Sequence, residues 1–306
     1  MMKKEDVVIV GAGPAGLTAA IYAARSGLNV LVFEKLQPGG MMATTDLIEN
    51  YPGYEEGVNG AELAMKMHQQ AERFGARFDY GEVHKLVVDG DAKILHTDNG
   101  EVQARTLIAA SGTDHRLLGI PGEHEYFGRG VSICGTCDGP LYRGKVAGVV
   151  GGGNSAAQEA MFVARFADKV YVFHRRDQLR ADKILADRLI GTPNVEVVWD
   201  TIVKRVVGDE LGVKAVDVHN KKTGEDSTFN IDGFFVFIGL VPNNHWIKDA
   251  VACAEDGFLL TDEHLQTNVP GVFAAGDLRH KEFRQIATAV SDGAMAARGA
   301  ELFLQE

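Results

Sequence analysis

Three cysteines in 306 residues are too few for a disulfide framework, and an odd number does not suit a secreted scaffold held by paired bridges. No run approaches the roughly 18 apolar residues of a membrane span. Met1-Met2-Lys3-Lys4 ahead of an apolar stretch has the outline of a signal peptide. That stretch, however, carries Gly11, Gly13, Pro14 and Gly16 in a spacing of another kind. Basic residues are outnumbered, 31 to 42, and the net charge of −11 argues against nucleic acid or an anionic membrane as the main partner. The expectation is a soluble, cytoplasmic protein that binds neither. What is abundant is glycine, 36 residues clustered where nucleotide loops would lie.

Val7-Val8-Ile9-Val10 reads as a strand buried on both faces. It enters Gly11-Ala12-Gly13-Pro14-Ala15-Gly16, then an Ala-rich helix and a second strand from Asn29 that closes on Glu34. Strand, G-x-G-x-x-G, helix, strand and acid form a dinucleotide-binding unit. Gly11 permits the tight turn, Gly13 lets the backbone approach a pyrophosphate, and Gly16 lets helix and strand close up. The anion would rest on the helix N-terminus, and Glu34 would accept from ribose hydroxyls.

The unit recurs without a gap. Gly11 matches Gly151, Gly13 matches Gly153 and Gly16 matches Ala156, with Asn154 and Ser155 opening the second helix. The copies part at the ribose-selecting position, where Glu34 gives way to His174-Arg175-Arg176, with Arg180 a turn later. Guanidinium groups bind a 2′-phosphate that a carboxylate would repel, so the second unit is expected to take NADPH. Alternating runs with tight turns follow each unit (83–108 and 195–237) and suggest small antiparallel sheets. Seams are expected near 113–118 and 240–244. The segment after the second seam has no Gly loop of its own and should rejoin the first domain. The fold class expected is α/β, with two Rossmann-like domains of the FAD/NAD(P)-binding type, each bearing a small antiparallel extra sheet. The expected parts are 1–116 and 244–306 for one domain and 117–243 for the other.

Between the Gly loops lies Cys134-Gly135-Thr136-Cys137-Asp138. Two sulfurs at this spacing can form a disulfide or meet as a dithiol. A zinc half-site or an inert pair are the bland alternatives. Zinc needs four ligands, and Cys253, the remaining cysteine, is isolated, so no metal is expected. A nicotinamide and a dithiol exchange electrons poorly without an intermediary, which a flavin supplies, and this favours FAD in the first unit. If disulfide and nicotinamide need the same flavin region, the domains must move to take turns.

These motifs, together with Gly271 to Asp277 and Arg284-Gln285, resemble the low-molecular-weight, NADPH-dependent thioredoxin reductases, and the resemblance runs essentially end to end. It implies FAD in a split first domain, NADPH in the inserted one, a homodimer, and thioredoxin or a thioredoxin-like protein as partner. It implies that Cys137 receives electrons from the flavin, that Cys134 attacks the partner's disulfide, and that Asp138 handles their protons. Gly40, Thr45 and Asn50 fall on flavin-contacting loops. The resemblance further implies that Gly276 and Asp277 meet the ribityl and pyrophosphate side, and Arg284 and Gln285 the flavin ring. Two departures stand out: Met41 where a Gln is common, and Gly135 where Ala is commoner between the cysteines. Other readings of the same fold are a dithiol oxidase and a ferredoxin-fed reductase, neither of which needs the arginines. A non-catalytic flavin or nucleotide sensor would not need the cysteines.

Overall fold

A computed structural model describes residues 3–45 and 47–305; Met1, Met2, Asp46 and Glu306 lie outside the described residues, and with them the outermost ends of the expected first and last segments. The chain divides into two compact units. One holds the described residues up to Asp114 together with those from Val241 onward, and the other is His115–Leu240. The expected α/β class with two dinucleotide-type parallel sheets is borne out.

In the first unit, strand Lys3–Val10 lies between Val30–Glu34 and Gly100–Ala109, parallel to both. From Val7 to Val10 its side chains alternate between two cores, as a stretch buried on both faces requires. Val7 and Ile9 pack with Leu17, Ile21 and Ala296 from the helices Pro14–Arg25 and Ile286–Phe303. Val8 and Val10 face a second cluster with Leu95, Trp246 and Val272. Each such Val or Ile contributes on the order of 1.5–3 kcal/mol by leaving water.

One expectation needs correcting. The antiparallel strands Val83–Asp89 and Ala92–Thr97 do not form a separate extra sheet. On the edge away from Lys3–Val10, strand Gly100–Ala109 is long enough to serve two partners. Its first half pairs antiparallel with Ala92–Thr97, and its second half pairs parallel with Val272–Ala274. The parallel and antiparallel parts are therefore one seven-stranded sheet.

In the second unit the antiparallel strands do stand apart. Thr201–Asp209, Gly212–Asn220 and Asp226–Asn230 form a three-stranded sheet of their own. The parallel sheet of this unit is built on Val146–Gly151, flanked by Lys169–Phe173 and Gly233–Phe237. Val149, Val172 and Phe235 turn to the helix Asn154–Ala164, whereas Val150, Phe173 and Phe234 turn to the antiparallel sheet through Val203 and Val216.

Candidate functional site

The first Gly loop uses each glycine differently. Gly11 has φ +101°, and a Cβ there would lie 2.4 Å from the Ala110 carbonyl oxygen. A Cβ on Gly16 would fall 1.8 Å from the Gly11 oxygen, so helix and loop touch backbone to backbone. At Gly13, the N-cap of the helix that starts at Pro14, a Cβ would meet nothing within 4 Å. Open space thus lies where free N–H groups of the helix point, the condition for an anion.

The rim of this loop comes from distant segments. Glu34 Oε2 accepts from Ala12 N at 2.8 Å and Oε1 from Leu36 N at 3.0 Å, which fixes the carboxylate beside the loop. Gly40 opens a 3-10 helix (Gly40–Thr44) whose start lies against Gly13. Thr45 Oγ1 donates to the Met41 carbonyl at 3.5 Å, and the Met41 sulfur receives the Thr113 hydroxyl at 3.6 Å. Asn50 Nδ2 donates to Gln285 Oε1 at 2.9 Å. Gly276 sits on Ala15: with φ +75°, its Cβ would lie 2.8 Å from the Ala15 Cβ.

Asp277, next in the chain, has a buried Oδ1 with no hydrogen bond; Lys281 Nζ stands 3.4 Å away as an ion pair only. Burial raises the Asp277 pKa, and the Lys281 charge opposes that rise. Lys281 also pairs with Asp292 at 3.0 Å, and Asp292 accepts from Gly276 N at 3.1 Å. Arg284 lies over the Phe258 ring at 3.9 Å and donates to the Asp277 carbonyl at 3.4 Å. An orphaned buried oxygen and an open helix N-terminus in one unit fit a dinucleotide with a polar tail.

The second loop repeats the plan with an alanine at the third position. A Cβ on Gly151 would lie 2.6 Å from the Ala156 methyl and 2.3 Å from the Phe237 oxygen, whereas one on Gly153 would meet nothing within 4 Å. Ser155 is exposed at the helix start. Asn154 is committed to Asp182 in both directions, Nδ2 to Oδ2 at 2.8 Å and Oδ1 from Asp182 N at 2.7 Å.

His174 departs from its expected role. Its ring is buried under Gly152, with Nδ1 2.7 Å from the Gly151 oxygen and Nε2 2.9 Å from the Gln178 oxygen. Each ring nitrogen lies against a backbone carbonyl, so the buried residue braces the Gly loop instead of facing an incoming phosphate. Arg175, Arg176 and Arg180 are exposed beside it, and among the described residues their guanidinium groups carry no ion pair.

The cysteines sit on a single helical turn, Gly135–Asp138, with Cys134 as its N-cap. They are joined as a disulfide with Cα atoms 5.3 Å apart, and Cys134 Sγ accepts from Cys137 N at 3.1 Å. Buried Ser132 fixes the approach, taking the Cys134 N–H at 3.0 Å. Cys137 is exposed, whereas Cys134 and Asp138 are half-buried. Tyr142 follows the turn; burial, with the Asp138 and Asp232 charges, pushes its hydroxyl pKa up to about 12.

The sequence reading passed over Glu159, one helix away, which accepts from Thr136 N at 3.0 Å. The signal was present. Glu159 falls between Ala156 and Val163 on the inward stripe of its helix, where a carboxylate requires a partner. Lys281 and Asp292 were also missed, since nothing in their spacing marks them.

Comparison with known proteins agrees with this geometry. The profile of the pyridine nucleotide-disulphide oxidoreductase family matches residues 5–293. The chain is 42% identical over 301 residues to thioredoxin reductase of Bacillus subtilis, covering 98% of this chain and 95% of that one. It is 44% identical over 299 residues to thioredoxin reductase of Treponema pallidum, with 98% and 97% covered. Among solved structures, Lactococcus lactis thioredoxin reductase superposes with a TM-score of 0.96 at 44% identity, over 98% of this chain and 99% of that one.

Proposed function

The chain belongs to the pyridine nucleotide-disulphide oxidoreductase family, in its thioredoxin reductase group, and from that premise we propose that it reduces thioredoxin or a thioredoxin-like protein with electrons from NADPH. The observation that carries the reading is the Cys134–Cys137 disulfide, presented on a turn in the same unit as a Gly loop flanked by exposed arginines.

FAD fits the first unit. Residues Gly11 to Gly16 would hold its pyrophosphate at the helix N-terminus and Glu34 its ribose. Gly276 and Asp277, with the orphaned Oδ1, would meet the polar tail. Gly40, Thr45, Asn50, Arg284 and Gln285 would line the remainder. NADPH fits the second unit. Gly151, Gly153, Asn154, Ser155 and Ala156 form its loop, and Arg175, Arg176 and Arg180 would take the 2′-phosphate. When bound, the flavin accepts a hydride from the nicotinamide and releases two electrons to a disulfide.

The chain's own residues do the rest. Cys137 takes the electrons, and the Cys134 thiolate attacks the partner's disulfide. Asp138, on the same turn, accepts and returns the protons of the dithiol. The reading carries with it a cytoplasmic homodimer, which light scattering after size exclusion tests for its stoichiometry.

The decisive experiment is a visible spectrum followed by anaerobic titration. NADPH should bleach a bound flavin, and oxidised thioredoxin should restore the colour. Bleaching by reduced ferredoxin but not by NADPH would transfer the assignment to a ferredoxin-fed reductase. In Cys134→Ser, bleaching should persist while thioredoxin reduction is abolished; loss of both would reverse the roles given to the two cysteines.

A further inference from the structure

Glu159 lies on the helix whose N-terminus forms the second Gly loop, and its carboxylate reaches the cysteine turn rather than solvent. Oε2 accepts from Thr136 N at 3.0 Å, and Oε1 lies 3.5 Å from the Thr136 hydroxyl. Burial raises the Glu159 pKa, while the Thr136 and Gly135 N–H groups pull it back down. These donors belong to the turn that Cys134 caps, and they are the groups by which a helix start stabilises a cysteine thiolate. Cys134 Sγ is left with Cys137 N at 3.1 Å.

The seat of this carboxylate depends on Gly135. A Cβ there would lie 2.5 Å from Glu159 Oε2, 3.1 Å from Val163 Cγ2 and 3.3 Å from the Glu159 carbonyl oxygen. The glycine noted between the cysteines and the half-buried glutamate are therefore two halves of one arrangement.

We propose that Glu159 is a positioning residue for the redox turn: seated over Gly135, it takes the turn's free N–H groups, adds a negative charge beside them, and so keeps the Cys134 thiol protonated to higher pH than an uncapped turn would. The inference rests on the cysteine pair being the redox centre proposed above. Reduction of that pair breaks the S–S bond and takes up two electrons, supplied by NADPH, and two protons while both thiols stay neutral. Where Cys134 ionises, one proton fewer is bound. Glu159 moves that change of stoichiometry upward in pH.

The other ionisable groups on the packed elements are Asp138 in the turn and Tyr142 in the 3-10 helix after it (Gly139–Tyr142). Tyr142, at about 12, stays neutral through the range that matters.

The test uses holoenzyme reduced anaerobically with dithiothreitol and desalted, then alkylated with iodoacetamide between about pH 6 and pH 10, spanning the ordinary thiol range. Each cysteine is followed by peptide mass spectrometry. In Glu159→Gln, the midpoint for Cys134 should fall by about one pH unit, equivalent to roughly tenfold faster alkylation on the rising limb. Cys253, in the other unit, should not move.

Gly135→Ala displaces the carboxylate by a different route and should shift Cys134 in the same direction. It carries the test alone if the glutamine variant does not fold. A Cys134 midpoint that stays in place or rises in the folded variant overturns the proposal. A loss of packing alone would lower flavin content or melting temperature without moving the midpoint. In the unmodified chain, NADPH must release two alkylatable thiols beyond Cys253. If it does not, the redox reading itself fails; if it does and the midpoint is unmoved, the role of Glu159 fails alone.

Discussion

Asn50 and Gln285, 235 positions apart, share a 2.9 Å hydrogen bond, and Gln285 is at the same time the N-cap of the helix Ile286–Phe303. Its side chain accepts from the Thr288 N–H while the Thr288 hydroxyl accepts from Gln285 N, a reciprocal box that satisfies two otherwise free donors. Gln285→Ala should therefore cost about 1–2 kcal/mol through the lost cap. Asn50→Ala should cost less, because its bond is exposed. A double-mutant cycle in urea should give a coupling of about 0.5–1.5 kcal/mol. Additive costs would mean that the pair is not made in solution.

The Gly loops are alike in sequence but not interchangeable. Ala156 occupies in the second loop the place that Gly16 holds in the first. Gly16→Ala would put a methyl 1.8 Å from the Gly11 oxygen and 3.4 Å from Ile9 Cγ2. That substitution should cost at least about 1–3 kcal/mol by overpacking and should yield colourless protein. Ala156→Gly removes a contact and should keep the yellow colour, at a cost of about 1 kcal/mol from helix propensity. The absorbance ratio of flavin to protein checks both.

Arg175→Ala with Arg176→Ala should raise KM for NADPH by at least about tenfold, since charge-assisted hydrogen bonds to a phosphate contribute about 1.5–3 kcal/mol each. KM for NADH, which has no 2′-phosphate, should change little. An equal change for both nucleotides would remove these residues from phosphate binding. His174→Asn should act differently: it loosens the loop it braces and should weaken both nucleotides together.

Tyr142 gives a pH dependence whose sign can be worked out. Its folded pKa is raised from 10.0 to about 12 by burial and two nearby carboxylates. In the unfolded chain the hydroxyl ionises first, so the stability it protects is fully present below pH 10 and is lost as pH rises toward 12. Tyr142→Phe should flatten the fall in the urea midpoint over that window. It also removes a 3.4 Å bond to the Gly130 oxygen while keeping the ring that fills the space at Gly233. Identical slopes in the two proteins would show that other tyrosines govern the alkaline limb.

The parts of this molecule legible in the sequence are those fixed by backbone demands. A strand that ends in Gly11 and turns into a helix at Pro14 has few other solutions, and the second copy repeats it at Gly151 and Asn154. The parts that were not legible depend on partners far along the chain. Nothing in Gly100–Ala109 says that it will divide its two halves between an antiparallel and a parallel neighbour. His174 looked like part of a basic run because its neighbours are arginines. Its burial follows from the missing side chain at Gly152, which the motif records only as one more glycine. Glu159 left a trace, a carboxylate on the inward stripe of its helix, but its partner Thr136 is fixed only by tertiary packing.

The divided strand has a consequence for synthesis on the ribosome. Leu107 and Ala109 share their apolar cluster with Trp246, Val272 and Ala274, all translated later. A nascent chain that has just emerged through Asp114 holds most of a sheet with the second half of one side of that strand unpaired, a sticky edge prone to pairing with strangers. The intervening unit is contiguous from His115 to Leu240 and can finish folding while that edge waits. The strand Val272–Ala274 emerges only after that unit, and its pairing with Leu107–Ala109 covers the waiting edge.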